Sequence, residues 1–170
     1  MKKIFSILLF YLIIHGNSIN AQSRFKLQSG ISYIEHISTG IVLKLNENEL
    51  VSFIYGSNFF IKTQEFSSYM LQYEYLLHNY TFKKCIPNIG IKGGYAIYTN
   101  EFYKWKLIDL VPFIGSTYLI NNRIELSGDI GITISRELSM KRVSDGEIGW
   151  YKHVLPEFKI AISYNLLQSK

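Results

Sequence analysis

The sequence predicts an all-β fold: an eight-stranded antiparallel up-and-down barrel that follows a cleavable leader. Three observations predict it. The chain has 170 residues, 48% apolar and 15% aromatic but only 18% charged, so it can bury a core and is not disordered. Its 13 Tyr and 11 Phe against 3 Pro favour strands over helices. From Phe25 onward apolar residues recur with period two, and no stretch holds a helical period.

The leader comes first. Lys2 and Lys3 precede an apolar run from Ile4 to Ile14. His15, Gly16, Asn17 and Ser18 end the run, and Ala21 stands at the expected cleavage point. A positive start, a short apolar centre and a small exit residue describe a signal peptide, residues 1–21. The run is too short for a spanning helix, which needs about 20 residues. No Cys stands at the exit, so no lipid attachment is expected. The mature domain is then 22–170, without an internal boundary.

Strands are expected at 25–35, 38–46, 49–59, 66–78, 88–99, 107–120, 123–136 and 152–166. In the fourth, Tyr69, Leu71, Tyr73, Tyr75 and Leu77 oppose Ser68, Met70, Gln72, Glu74, Leu76 and His78. In the fifth, Ile89, Ile91, Tyr95 and Ile97 oppose Gly90, Lys92, Gly94 and Ala96. The sixth, 107–120, is apolar on both faces, which leaves its orientation open. In the seventh, Ile124, Leu126, Ile130, Ile132 and Ile134 oppose Glu125, Ser127, Asp129, Thr133 and Ser135. In the eighth, Phe158, Ile160, Ile162, Tyr164 and Leu166 oppose Glu157, Lys159, Ala161, Ser163 and Asn165. Asn46-Glu47-Asn48 and Asn121-Asn122 read as tight turns, and longer links are expected at 60–65, 100–106 and 137–151. Pro112 and Pro156 are expected near strand starts, where a missing N–H is tolerated.

The composition of the two faces decides the solvent. The polar faces mix a few charges with Gly90, Gly94, Gly131, Ala161 and Ser163, and small residues suit the crowded inside of an eight-stranded barrel. A surface in water would carry charge at roughly a quarter to a third of its positions. The apolar faces are large and nearly uncharged, as lipid contact requires. Tyr33, Phe59 and Tyr69 fall near one rim, and Phe25, Tyr75, Tyr118 and Tyr164 near the other. Rings at both rims fit the interfacial belts of a transmembrane barrel. Projected inward, Lys26, Lys44, Lys92 and Lys159 balance Glu74, Glu125, Asp129 and Glu157 and leave no room for an aqueous channel.

With its leader, its eight alternating segments and the phrases Asn88-Ile-Gly-Ile-Lys-Gly-Gly-Tyr95 and Leu126-Ser-Gly-Asp-Ile-Gly-Ile132, the chain resembles the small outer-membrane β-barrels of OmpA/OmpX type over residues 23–168. The resemblance implies a non-enzymatic protein of a Gram-negative outer membrane, either structural in the envelope or offering its loops to an extracellular partner. Members often end on an aromatic residue; here Tyr164 is followed by Asn-Leu-Leu-Gln-Ser-Lys, which departs from that pattern.

Candidate chemistry is sparse. His36-Ile37-Ser38, preceded by Glu35, would lie at the outer rim and supplies a base, a nucleophile and an acid. Lipid A hydrolases with a rim-level Ser and His provide the alternative function. Period two puts Glu35 on the opposite face, however, and a polar loop cap is the preferred reading of the three. A soluble periplasmic ligand-binding barrel is a third reading. His36, His78 and His153 lack metal spacing, no phosphate loop is present, and a single Cys, Cys85, excludes a disulfide framework. The expectation is therefore no catalytic residue, no cofactor and no metal. The formal charge of +5 is spread along the chain, which argues against nucleic acid. Phe102-Tyr103-Lys104-Trp105-Lys106, and Lys141-Arg142 with Trp150-Tyr151-Lys152, are expected in outer loops 100–106 and 137–151. There they would meet outer-membrane lipid, lipopolysaccharide or an extracellular partner of a monomeric barrel.

Overall fold

The computed structural model describes residues 25–32, 36–58, 65–100, 102–142 and 154–166. The leader lies outside them, as do Tyr33, Glu35, Phe59, Trp150, Tyr151 and His153. Eight strands form one closed barrel: β1 Phe25–Ser32, β2 His36–Lys44, β3 Glu49–Ser57, β4 Glu65–Leu76, β5 Cys85–Thr99, β6 Tyr103–Leu119, β7 Ile124–Arg142 and β8 Val154–Asn165. Neighbours in sequence pair antiparallel, and β1 closes on β8, so no sheet edge is left open along the paired wall.

The register fixes the shape. Paired residues followed round the wall from Leu27 are Ile41, Phe53, Leu71, Gly93, Leu110, Ile134 and Val154. Leu27 itself pairs back to Tyr164, ten residues from Val154 along β8. A stagger of that size tilts the strands by roughly 40°.

One device shapes three turns. The Oδ1 of Asn46 accepts the N–H groups of Asn48 and Glu49, each at 2.9 Å. Asn121 does the same for Arg123 and Ile124, both at 2.8 Å. Asn100 accepts from Phe102 at 2.9 Å and Tyr103 at 2.7 Å. An Asn side chain that replaces a backbone acceptor in this way fixes a tight turn. The remaining described turn holds a 3-10 turn, His78–Tyr80, and a hairpin tip in which Phe82 and Cys85 bond each other's backbone at 2.9 and 3.0 Å. Lys83, at that tip, adopts φ 56°.

The third Asn turn corrects the sequence reading. It starts β6 at Tyr103 rather than 107, so residues 103–106 are strand and not loop. β7 likewise continues to Arg142, so 137–142 are strand, with a bulge opposite Lys106 and Leu107. β2 starts at His36, two residues earlier than expected, and β5 starts at Cys85, three residues before the expected 88. Pro112 is mid-strand in β6. The β5 ladder passes it without a break, opposite Ile91, while the β7 ladder is interrupted between Leu110 and Phe113. The missing donor is thus confined to one side, and Gly131 leaves space against the Pro112 carbonyl.

Candidate functional site

Alternation along each strand sorts the chain into a wall and a lumen. On the wall, residues such as Ile31, Ile114, Phe158 and Ile160 are exposed, at 53 to 65%. Among the described residues the outward charges are confined to the two rims. Glu49 lies at the end of the Asn46 and Asn121 turns (the turn end), while Glu65, Lys104, Lys106 and Arg136 lie at the other (the loop end). Everything outward between them is apolar, aromatic, Gly, Pro, Ser or Thr. Phe25, Tyr73, Tyr118 and Tyr164 are exposed toward the turn end. Tyr55 and Tyr69 are exposed toward the loop end and pack tilted against each other with ring centres 5.3 Å apart. Tyr95 follows Tyr69 in the register.

The lumen holds the charges. Lys26, Lys92, Lys159, Glu74, Asp129 and Glu157 are buried. Glu125 and Lys44, nearer the turn end, are half-buried. All eight residues projected inward from the sequence therefore belong to the lumen face. Asp109 joins them, so that four cations face five anions at buried or half-buried positions, and Glu137 stands exposed nearer the loop end, opposite the lumen residue Leu107. Sequence reasoning missed Asp109 because Leu107, Val111 and Phe113 also face inward from β6, so both faces of that strand are apolar.

The charges are connected. Lys26 Nζ meets Glu125 Oε2 at 2.6 Å, and Lys92 Nζ meets Glu157 Oε1 at 3.1 Å. Lys159 donates to Gln28 and Gln72, both at 3.3 Å. Gln72 donates to Glu74 at 3.1 Å, and Asn88 donates to the other oxygen of Glu74 at 2.6 Å. The Ser135 hydroxyl donates to Asp109 at 2.6 Å. Glycines make room inside: the Phe113 ring lies over Gly90, and Asp129 and Asn88 crowd Gly115.

Two apolar clusters share the lumen; the one at the turn end is level with Lys26, Lys44 and Glu125, which stand opposite Val42, Leu50 and Leu119. Toward the loop end are Phe66, Ala96, Tyr98, Tyr103, Trp105 and Leu107. The Trp105 ring sits 5.3 Å from both Tyr98 and Tyr103. Toward the turn end are Val42, Leu50, Leu76, Ile86 and Leu119. Tyr103 and Trp105, expected in a loop against lipid or a partner, are instead lumen residues, while Lys104 and Lys106 are on the wall. The signal for this was present in the strict alternation of 103–108.

The His36–Ser38 segment separates. Ser38 is 1% exposed on the lumen face and donates to the Gly30 carbonyl at 3.4 Å. His36 opens β2 opposite Ser32, with a bulge against Ser57 between it and Ile37. Glu35 lies outside the described residues. His78 belongs to the turn end, where its ring meets the Glu47 carbonyl at 2.9 Å. Cys85 is a half-buried free thiol opposite Tyr118.

No family model matches the sequence, and no curated protein does. Solved structures do resemble the fold. The crystal structure of Neisserial surface protein A (NspA) covers 84% of this chain and 93% of its own, with a TM-score of 0.51 at 10% identity. CarO2 of Acinetobacter baumannii covers 85% of this chain and 99% of its own at 0.48 and 10% identity. CarO of the same organism covers 84% and 97% at 0.46 and 10% identity. The likeness to the Neisserial protein is one of fold, and it agrees with the register: this chain is a closed, eight-stranded antiparallel β-barrel.

Proposed function

We propose that the mature chain is a monomeric, non-enzymatic outer-membrane barrel with a closed lumen, which supports the envelope or presents its loop end to an extracellular partner. The inverted polarity carries this reading: the ionic groups are inside and the wall between the rims is free of charge. A Lys or Arg facing lipid at the bilayer midplane costs about 2–4 kcal/mol. A barrel in water gains nothing from such a wall, which disfavours the soluble reading. Aromatic residues exposed toward both rims agree with a membrane barrel.

The burial of Ser38 and its bond to a backbone carbonyl argue against acyl hydrolysis at the rim, because lipid does not reach that hydroxyl. A lumen filled by buried ionic and apolar side chains argues against conduction. Fractionation tests the reading. The mature chain is expected in the outer-membrane fraction, extracted only by detergent, with a heat-modifiable shift in gel mobility. Recovery from the soluble periplasmic fraction overturns it.

A further inference from the structure

We infer that Lys104, Lys106 and Arg136 form a binding site on the outer wall for the phosphorylated headgroup of an outer-leaflet lipid. This inference rests on the membrane reading and names a ligand class for one patch of the wall. Lys104 and Lys106 are two apart on β6, so they share the outward face. Arg136 lies opposite Ile108, the next outward residue below Lys106. Diagonal neighbours of that kind are about 7–8 Å apart, within reach of long side chains. All three are exposed, and among the described residues none makes an ion pair.

Height on the wall selects the ligand. On β6, Lys106 is twelve residues from Tyr118 of the turn-end belt. At roughly 3.3 Å per residue and about 40° of tilt, that separation is about 30 Å along the barrel axis. The apolar band of such a barrel is about 25 Å tall. Lys106 and Arg136 thus stand just above the hydrocarbon edge, and Lys104 one step higher. Tyr95 and Ile108 lie below them on the neighbouring and same strands. Cations over an apolar and aromatic step match a lipid with acyl chains below and phosphate above. One carboxylate shares this rim of the wall, Glu65 opposite Thr99, whereas Glu137 stands opposite the lumen residue Leu107 and so faces the other way. Three cations against one carboxylate leave the patch cationic.

The test uses the mature chain refolded in zwitterionic detergent and native mass spectrometry of retained lipid. The probes are diphosphoryl lipid A, its dephosphorylated form and inorganic phosphate. The diphosphoryl lipid is expected to bind at least about tenfold more tightly than the dephosphorylated one. The K104Q/K106Q/R136Q variant is expected to lose that preference, while Glu49→Gln at the opposite rim retains it. If the triple variant does not fold, K106Q alone is expected to weaken the preference about threefold. Equal binding of the two lipids, or an unchanged triple variant, overturns the inference. So does full displacement by millimolar inorganic phosphate, which would make this a site for free anions. The heat-modifiable shift, read on the same samples, separates the outcomes. Its loss counts against the barrel in membrane, whereas a folded barrel with no phosphate preference refutes this site alone.

Discussion

Lys92 of β5 and Glu157 of β8 meet across the lumen, Nζ to Oε1 at 3.1 Å, with side chains only 4% and 3% exposed. The contact is a chord between strands that share no ladder. Taking either group from water costs several kcal/mol, which its partner offsets only when present. Glu157→Gln is therefore expected to destabilise the refolded barrel by about 3–5 kcal/mol in urea titrations. The double change Lys92→Met with Glu157→Leu is expected to recover most of that loss. Equal losses in the single and double variants would show that the chord is not a coupled pair.

The Phe113 ring occupies the space that a Cβ at Gly90 would need. Overpacking of this kind costs about 1–3 kcal/mol. Gly90→Ala is expected to lower the urea midpoint accordingly, and Gly90→Ala with Phe113→Leu to regain part of it. A double variant no better than the single one would refute the ring-over-glycine packing.

Lys83 holds a left-handed conformation at its hairpin tip. A side chain there costs about 1–2 kcal/mol, which glycine avoids in exchange for a smaller entropy loss. Lys83→Gly is expected to stabilise by about 0.5–1 kcal/mol, read as a higher midpoint at unchanged slope. A drop in midpoint would contradict the assigned backbone.

Planar-bilayer recordings of the purified barrel are expected to show no steady porin-sized conductance, since side chains fill both the ionic layer and its apolar neighbours. A steady open level would contradict the closed lumen.

Ser38→Ala removes a hydroxyl bonded at 3.4 Å and is expected to cost under about 1 kcal/mol. Mass spectrometry of lipid A from cells expressing either form is expected to show the same acyl count. A Ser38-dependent loss of acyl chains would restore the hydrolase reading.

The strands were legible wherever one face was polar. Glu125, Asp129, Glu157 and Lys159 marked the lumen side of β7 and β8 without ambiguity. The strand at β6 was legible but its orientation was not, because its lumen face contributes Tyr103, Trp105 and Leu107 to an apolar cluster, and period two carries no sign when both faces are apolar. The same strand misled at its start. Lys104 and Lys106 looked like loop charges, although an outward cation is compatible with a strand that rises past the lipid edge. The Asn46 and Asn121 turns were read correctly. The Asn100 turn was missed because the residues after it were aromatic and basic rather than small. The bulge opposite Lys106 and Leu107 left no mark in the sequence.

A closed polar lumen also constrains assembly. Before β1 meets β8, the sheet would present Lys26, Lys92, Glu74 and Glu157 to whatever solvent it occupied. At roughly 2.5–3.5 kcal/mol for each charge near the bilayer centre, an open sheet does not survive in hydrocarbon. On the proposed membrane reading, insertion and closure advance together, with the lumen side kept wet or shielded until the seam forms. That seam joins the two ends of the chain: Lys159 reaches Gln28 across 131 positions of sequence. Contacts so distant form late and slowly. On that reading, closing this long-range seam is also the step that removes the charges from lipid.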